Sequence, residues 1–279
     1  MLLRNQQLTV DFGDEEALFT RFDRTGVVRQ VQLADGLTFC LRENPPDGPG
    51  GVGLSNEFGL DGVIGYDEAK VGDCFLKPGV GWLRRDTDEP YNFGRRYPLL
   101  DAGRLVTDAG SDWARATWEI DERNGTACRL EKRVSLQGSS VITAYRMKNT
   151  GKKPFSITEY NHNFVSIAGG SFPGDYQLYL IDEDGCADDH SALMTGENGS
   201  GYCLYDRAHC RGVRGWALSR AQGSMSEVVD FPLWKLAVWT VSHVSCSELF
   251  YLIDLTPGAE TSWTRTHSFS SSPFAARER

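Results

Sequence analysis

Two side chains of this sequence have the types that acid–base chemistry needs. The first is His162, in the stretch Glu159-Tyr160-Asn161-His162-Asn163-Phe164-Val165-Ser166-Ile167. An imidazole titrates near neutral pH and can give or take a proton there. The stretch reads as a strand. Its alternation puts Tyr160, His162 and Phe164 on one face and Asn161, Asn163 and Val165 on the other. A polar ring between two aromatics is either a satisfied core histidine or a ring lining a cleft. The second side chain is Glu248, at the start of the apolar run Glu248-Leu249-Phe250-Tyr251-Leu252-Ile253. A carboxylate at the mouth of such a strand is partly desolvated, which raises its pKa toward that of a useful base. Alone, it would read as a solvated strand-end charge.

The elements that position these groups are short and alternating. Helical periodicity is nearly absent, and Gly, Asp, Asn and Pro punctuate runs of strand-forming residues. Gly26 to Leu33, a turn at Ala34-Asp35-Gly36 and Leu37 to Arg42 read as an opening hairpin. Residues Asn44 to Lys77 break the rhythm with a Pro/Gly-rich run (45–51), followed by polar and aromatic residues among glycines. A long irregular segment of this kind is usually functional. Strands then resume at Trp113–Asp121 and Cys128–Leu136. Val141–Lys148 is expected to pair with Phe155–Asn163 across Asn149-Thr150-Gly151-Lys152-Lys153-Pro154, a run of turn formers. Tyr176–Ile181, Gly212–Arg220, Leu233–Val241, Glu248–Leu255 and Ser262–Ser268 follow. The pattern predicts an all-β chain of stacked, mainly antiparallel sheets forming a single domain over residues 1–279.

Composition narrows the function. The chain has 279 residues, 30 of them glycine, and a net charge of −9. That charge argues against nucleic acid and anionic membrane surfaces as partners, since both need a basic surface. No run approaches the ~18 apolar residues of a spanning helix, and the first residues lack the apolar core of a secretory signal. The seven cysteines are scattered without a CxxC pair. They read as reduced, mostly buried thiols in a cytoplasmic protein and not as a zinc site.

The order of the motifs resembles the aldose 1-epimerase (galactose mutarotase) family. An Asn149-Thr150-Gly151 turn precedes Asn161-His162-Asn163-Phe164. A late Glu248 precedes Leu255-Thr256-Pro257-Gly258-Ala259-Glu260 and a last strand, Trp263 to Phe269. The match covers roughly the last 140 residues, and the opening meander with Arg21-Phe22-Asp23-Arg24-Thr25-Gly26 fits more loosely. The Gly53–Ala69 stretch looks like a subgroup of uncharacterised bacterial members. The resemblance implies a β-supersandwich and interconversion of sugar anomers, with His162 as general acid and Glu248 as general base. It implies a small-molecule sugar as substrate and no metal or organic cofactor.

The sequence departs from the family in one respect. Family members carry another histidine earlier in the chain, whereas here the histidines besides His162 are His190, His209, His243 and His267. Lys77 or Arg84 would take over that contact with the sugar. Trp82 offers an apolar face to a sugar ring or fills the core, and Glu57 binds hydroxyls or braces a loop. Asn161, beside the histidine, is a further candidate for binding the sugar. His243 is an alternative acid. A carbohydrate-binding protein without turnover is the competing reading, and a lyase using Tyr66, Tyr91 or Tyr160 is a third. For the isomerase reading, the imidazole and carboxylate are expected to face one cleft, about a sugar ring apart.

Overall fold

The computed structural model describes residues 1–14, 19–46, 48–196 and 201–277. Alternation of apolar and polar side chains builds twenty strands among them. In chain order these are β1 (Leu2–Arg4), β2 (Leu8–Gly13), β3 (Val27–Leu33), β4 (Leu54–Phe58), β5 (Cys74–Lys77), β6 (Gly81–Arg84), β7 (Leu99–Asp101), β8 (Arg104–Ala109), β9 (Trp113–Glu119) and β10 (Cys128–Gln137). They continue with β11 (Ser140–Asn149), β12 (Phe155–Asn163), β13 (Gln177–Asp182), β14 (Ala187–Asp189), β15 (Tyr202–Tyr205), β16 (Val213–Arg220), β17 (Gly223–Val229), β18 (Lys235–Val241), β19 (Val244–Leu255) and β20 (Glu260–Ser270). No described helix is long and apolar enough to cross a membrane.

An eight-stranded antiparallel sheet, β1-β2-β3-β4-β12-β19-β18-β15, stacks on a nine-stranded one, β14-β13-β16-β17-β20-β11-β10-β9-β8. Their facing side chains make one core. Phe58, Ile157 and Ile253 from the first sheet join Leu130, Val134, Tyr145 and Trp263 from the second, as in other sandwiches. A three-stranded sheet, β5-β6-β7, is separate. None of the seven cysteines, five of them buried, is joined in a disulfide.

Three sequence expectations are corrected. First, β11 and β12 do not pair. β11 lies between β10 and β20, and β12 lies between β4 and β19, so residues 149–154 carry the chain from one layer to the other. The apolar faces of the two strands can close on each other only from opposite layers. Asn149 fixes the crossing, donating from Nδ2 to the carbonyls of Lys153 (2.8 Å) and Leu255 (3.0 Å). Second, Leu37–Arg42 returns from its turn without becoming a strand. The Gln30 side chain occupies its edge, its Oε1 accepting from the amides of Phe39 and Cys40. Third, the irregular stretch from Asn44 hides β4, all five residues of which are buried. A strand covered on both faces loses the alternation that marks a half-buried one. Asp47, within the Pro/Gly-rich run, lies outside the described residues.

Candidate functional site

β12 carries the site because β4 and β19 flank it. His162 stands opposite Ser55 and Tyr160 opposite Glu57 on β4. The odd-numbered residues of β12 point into the sandwich and the even-numbered ones point to the outer face of the eight-stranded sheet, as the alternation predicts. On that outer face His162 Nδ1 lies 3.3 Å from Glu248 Oε1. The two groups touch without the alignment of a hydrogen bond, and Nδ1 has no partner among the described residues. Phe164 stacks on the imidazole at 4.2 Å. Trp239 meets it edge-on at 5.5 Å, and Phe22 lies at 6.1 Å. Gly51 permits this packing, since a Cβ there would fall 1.9 Å from the Phe164 ring.

Burial dominates the electrostatics. Only 5% of His162 and 4% of Glu248 are exposed. Loss of water pushes the Glu248 carboxyl up to about 8, against the pull of Arg21. Burial, aided by Arg21, holds His162 well below its ordinary value. The pair at rest is therefore neutral at both partners, with its single proton on the carboxyl. Beside it lies a charged cluster. Arg21 Nε donates to Glu57 Oε2 at 3.1 Å, and its Nη1 donates to Glu43. Tyr160 donates to Glu57 at 2.6 Å. Lys77 Nζ donates to Glu57 Oε1 (2.9 Å) and to the Tyr91 hydroxyl (3.0 Å). Burial lowers the Lys77 amine, and Glu57 opposes that.

Beneath the pair the sheet is parted. The β12–β19 ladder runs from Phe155–Leu255 to Glu159–Tyr251. It resumes only as a single bridge, Val165–Ser245, in the same register. In the gap, side chains take the place of the ladder. Asn163 Nδ2 donates to the Ser247 carbonyl at 2.8 Å, and Arg265 Nη2 donates to the Leu249 carbonyl at 2.8 Å. Both belong to a buried network on the inner face. Arg265 donates to Glu159 (Nε 3.0 Å, Nη2 2.7 Å) and to Glu227 (2.6 Å). Glu227 also accepts from Asn163 and Trp216. His267 Nε2 faces Asn163 Oδ1 at 3.2 Å, and burial pushes that imidazole down to about 4.

The structure brings His162, Glu248 and Glu57 to one face and leaves other expected residues elsewhere. Glu248 is not at a strand mouth, because β19 begins at Val244 and covers it. The expected ring-wide gap between imidazole and carboxylate is absent, since the two side chains are in contact. Glu57 is a buried mid-strand residue, not a loop brace. Lys77 is near, but its ammonium is committed to Glu57 and Tyr91. Arg84 is exposed at the end of β6, and its guanidinium makes no hydrogen bond or ion pair among the described residues. Trp82 is buried, donating to the Asp121 carbonyl at 3.0 Å. Asn161 faces inward and donates to Asn163 at 2.7 Å, as its odd position on β12 requires. His243 pairs with the Glu43 carbonyl and not with Glu248. Sequence reasoning missed Trp239 and gave Arg21 no role. Trp239 is two positions from Ala237, which pairs with Glu248, so strand phase was the available signal for it.

Two stacked antiparallel sheets with this connectivity define a galactose mutarotase-like β-sandwich. Among solved structures the chain is similar to a galactose mutarotase related enzyme from Lactobacillus acidophilus, with TM-score 0.58, 9% identity and 99% of each chain covered. It is also similar to a galactose mutarotase-like protein from Clostridium acetobutylicum, with TM-score 0.58, 10% identity, and 96% of this chain and 100% of the other covered. A GalM/aldose epimerase homologue from C. elegans follows at TM-score 0.53 and 9% identity, with 98% of each chain covered. At these identities the likeness is one of fold. No family model and no curated protein matches the sequence.

Proposed function

We propose that the chain binds a small sugar on the outer face of the eight-stranded sheet and interconverts its anomers with Glu248 and His162. The observation that carries this reading is the pair itself. A carboxyl and an imidazole on different strands meet at 3.3 Å, and burial leaves them one proton to share. The ring oxygen and the anomeric hydroxyl sit on the same carbon, closer together than a hydrogen bond is long. An acid and a base in contact can therefore reach both oxygens from one side. Glu248 gives its proton to the ring oxygen as the C1–O bond breaks. The hydroxyl proton passes to His162 and C1 becomes a carbonyl. After rotation about C1–C2, the reverse transfers close the ring on its other face. Burial puts the resting proton on Glu248, so the acid and base roles are exchanged relative to those the family resemblance implies.

A second reading is a sugar-binding protein without turnover. The burial of the pair favours it, since neighbouring side chains must give way before a sugar ring can reach groups only 5% and 4% exposed. Proton NMR of pure anomers of neutral, acidic and phosphorylated sugars decides between the two. Faster equilibration with wild type than with His162→Asn supports turnover. Thermal stabilisation by a sugar without faster equilibration leaves binding alone.

A further inference from the structure

The nine-stranded sheet ends in an edge unlike the other edges of the two large sheets. β1 and β14 have three residues each and β15 has four. Short edges are one way in which sheets avoid pairing with other chains. β8 has six residues, every one exposed. Leu105 and Val106 are 44% and 53% exposed on its two faces, and Leu99 and Leu100 lie exposed just upstream. It has no proline. We propose that β8 is the seam of a homodimer, pairing antiparallel with β8 of a second copy to join the two nine-stranded sheets.

The backbone and the charges select one register. The Gly110 amide donates to the Trp113 carbonyl at 2.9 Å, continuing the register that pairs Asp108 with Arg115 and Val106 with Thr117. Main-chain groups alternate sides along an antiparallel strand. The even residues of β8 therefore bond to β9, while Leu105 and Thr107 offer their N–H and C=O groups outward. Two copies related by a two-fold axis through Val106 set Leu105 of each opposite Thr107 of the other, so the outward groups meet. The same register sets Arg104 of each copy opposite Asp108 of the other, on the close-packed pairs where opposite charges help. Slipping one strand by two residues keeps the backbone match but loses both charge pairs. Slipping it by one misaligns the donors and acceptors. Arg104 already bonds Glu119 within its own chain, which holds the guanidinium on that face. Asp108 has no ion pair among the described residues.

Sedimentation velocity from nanomolar to high micromolar protein tests this, with circular dichroism and thermal melts as folding controls. The wild type is expected to pass from monomer to dimer. Thr107→Pro removes an outward N–H and leaves the β9 ladder whole. It should raise the dimer dissociation constant at least about tenfold. Asp108→Arg should weaken the dimer, and the Arg104→Asp/Asp108→Arg swap should restore it. A wild type that stays monomeric throughout overturns the proposal, as does a dimer indifferent to Thr107→Pro and Asp108→Arg. A swap that fails to restore pairing overturns the register.

Discussion

Glu248 is the residue at which burial, charge and the proposed chemistry meet. Its carboxyl has an ordinary value of 4.5 and is pushed up to about 8 in the folded chain. A folded value above the unfolded one means that stability is fullest below about 4.5 and is lost as pH rises through about 8. Glu248→Gln keeps the shape and does not titrate. Its stability relative to wild type, measured by urea unfolding, should therefore grow across that window by up to a few kcal/mol. The same substitution should lower the anomerisation kcat/KM by roughly 10²–10⁴-fold. The wild-type rate should fall as pH rises through about 8, because the pair then loses its one shared proton. A variant that is more stable yet less active would mark the buried carboxyl as kept for function. Equal activity in both proteins would remove Glu248 from the chemistry. Its candidacy was legible in the order of motifs. Its depth was not, because the start of β19 reads as polar: Ser245, Cys246 and Ser247 are buried under neighbours remote in sequence.

At the scale of elements, the parted strands depend on Arg265. It is 1% exposed and bonds two carboxylates and the Leu249 carbonyl. Arg265→Met retains bulk and removes every one of these donors. Removing one partner of a buried ion pair costs about 3–5 kcal/mol, since the charges left behind are uncompensated. A loss of that size in the unfolding free energy from urea titration is expected, and a change within ~0.5 kcal/mol would mean that the carboxylates find other partners. The sequence hid this network. On β20 the inward residues Trp263, Arg265, His267 and Phe269 alternate correctly, but two of the four are polar, so the strand's core face looks mixed. The network's members Glu159 and Asn163 likewise lie on the inward face of β12, beside the core residues Phe155 and Ile157. Turn chemistry misled in the same way. Asn149-Thr150-Gly151 does turn the chain, but only the packing of β11 and β12 in separate layers shows that the turn crosses between sheets.

Across the whole molecule, the sandwich was readable wherever one face of a strand is buried and the other wet, as along β9, β10 and β11. It was unreadable where both faces are covered, as in β4, or where a side chain replaces a ladder, as with Gln30. The eight-stranded sheet has a further property of this kind. It is two half-sheets, β1-β2-β3-β4-β12 and β19-β18-β15, joined at one end by the Phe155–Glu159 ladder and at the other by the Val165–Ser245 bridge. In the lens between them, side chains and not main-chain pairs join the two halves. Hydrogen–deuterium exchange should find it: the amides of Ser247 and Leu249 lack a ladder partner and should exchange faster than those of Tyr251 and Ile253 further along the same strand. Uniform protection along that strand would mean that the two halves move as one plate.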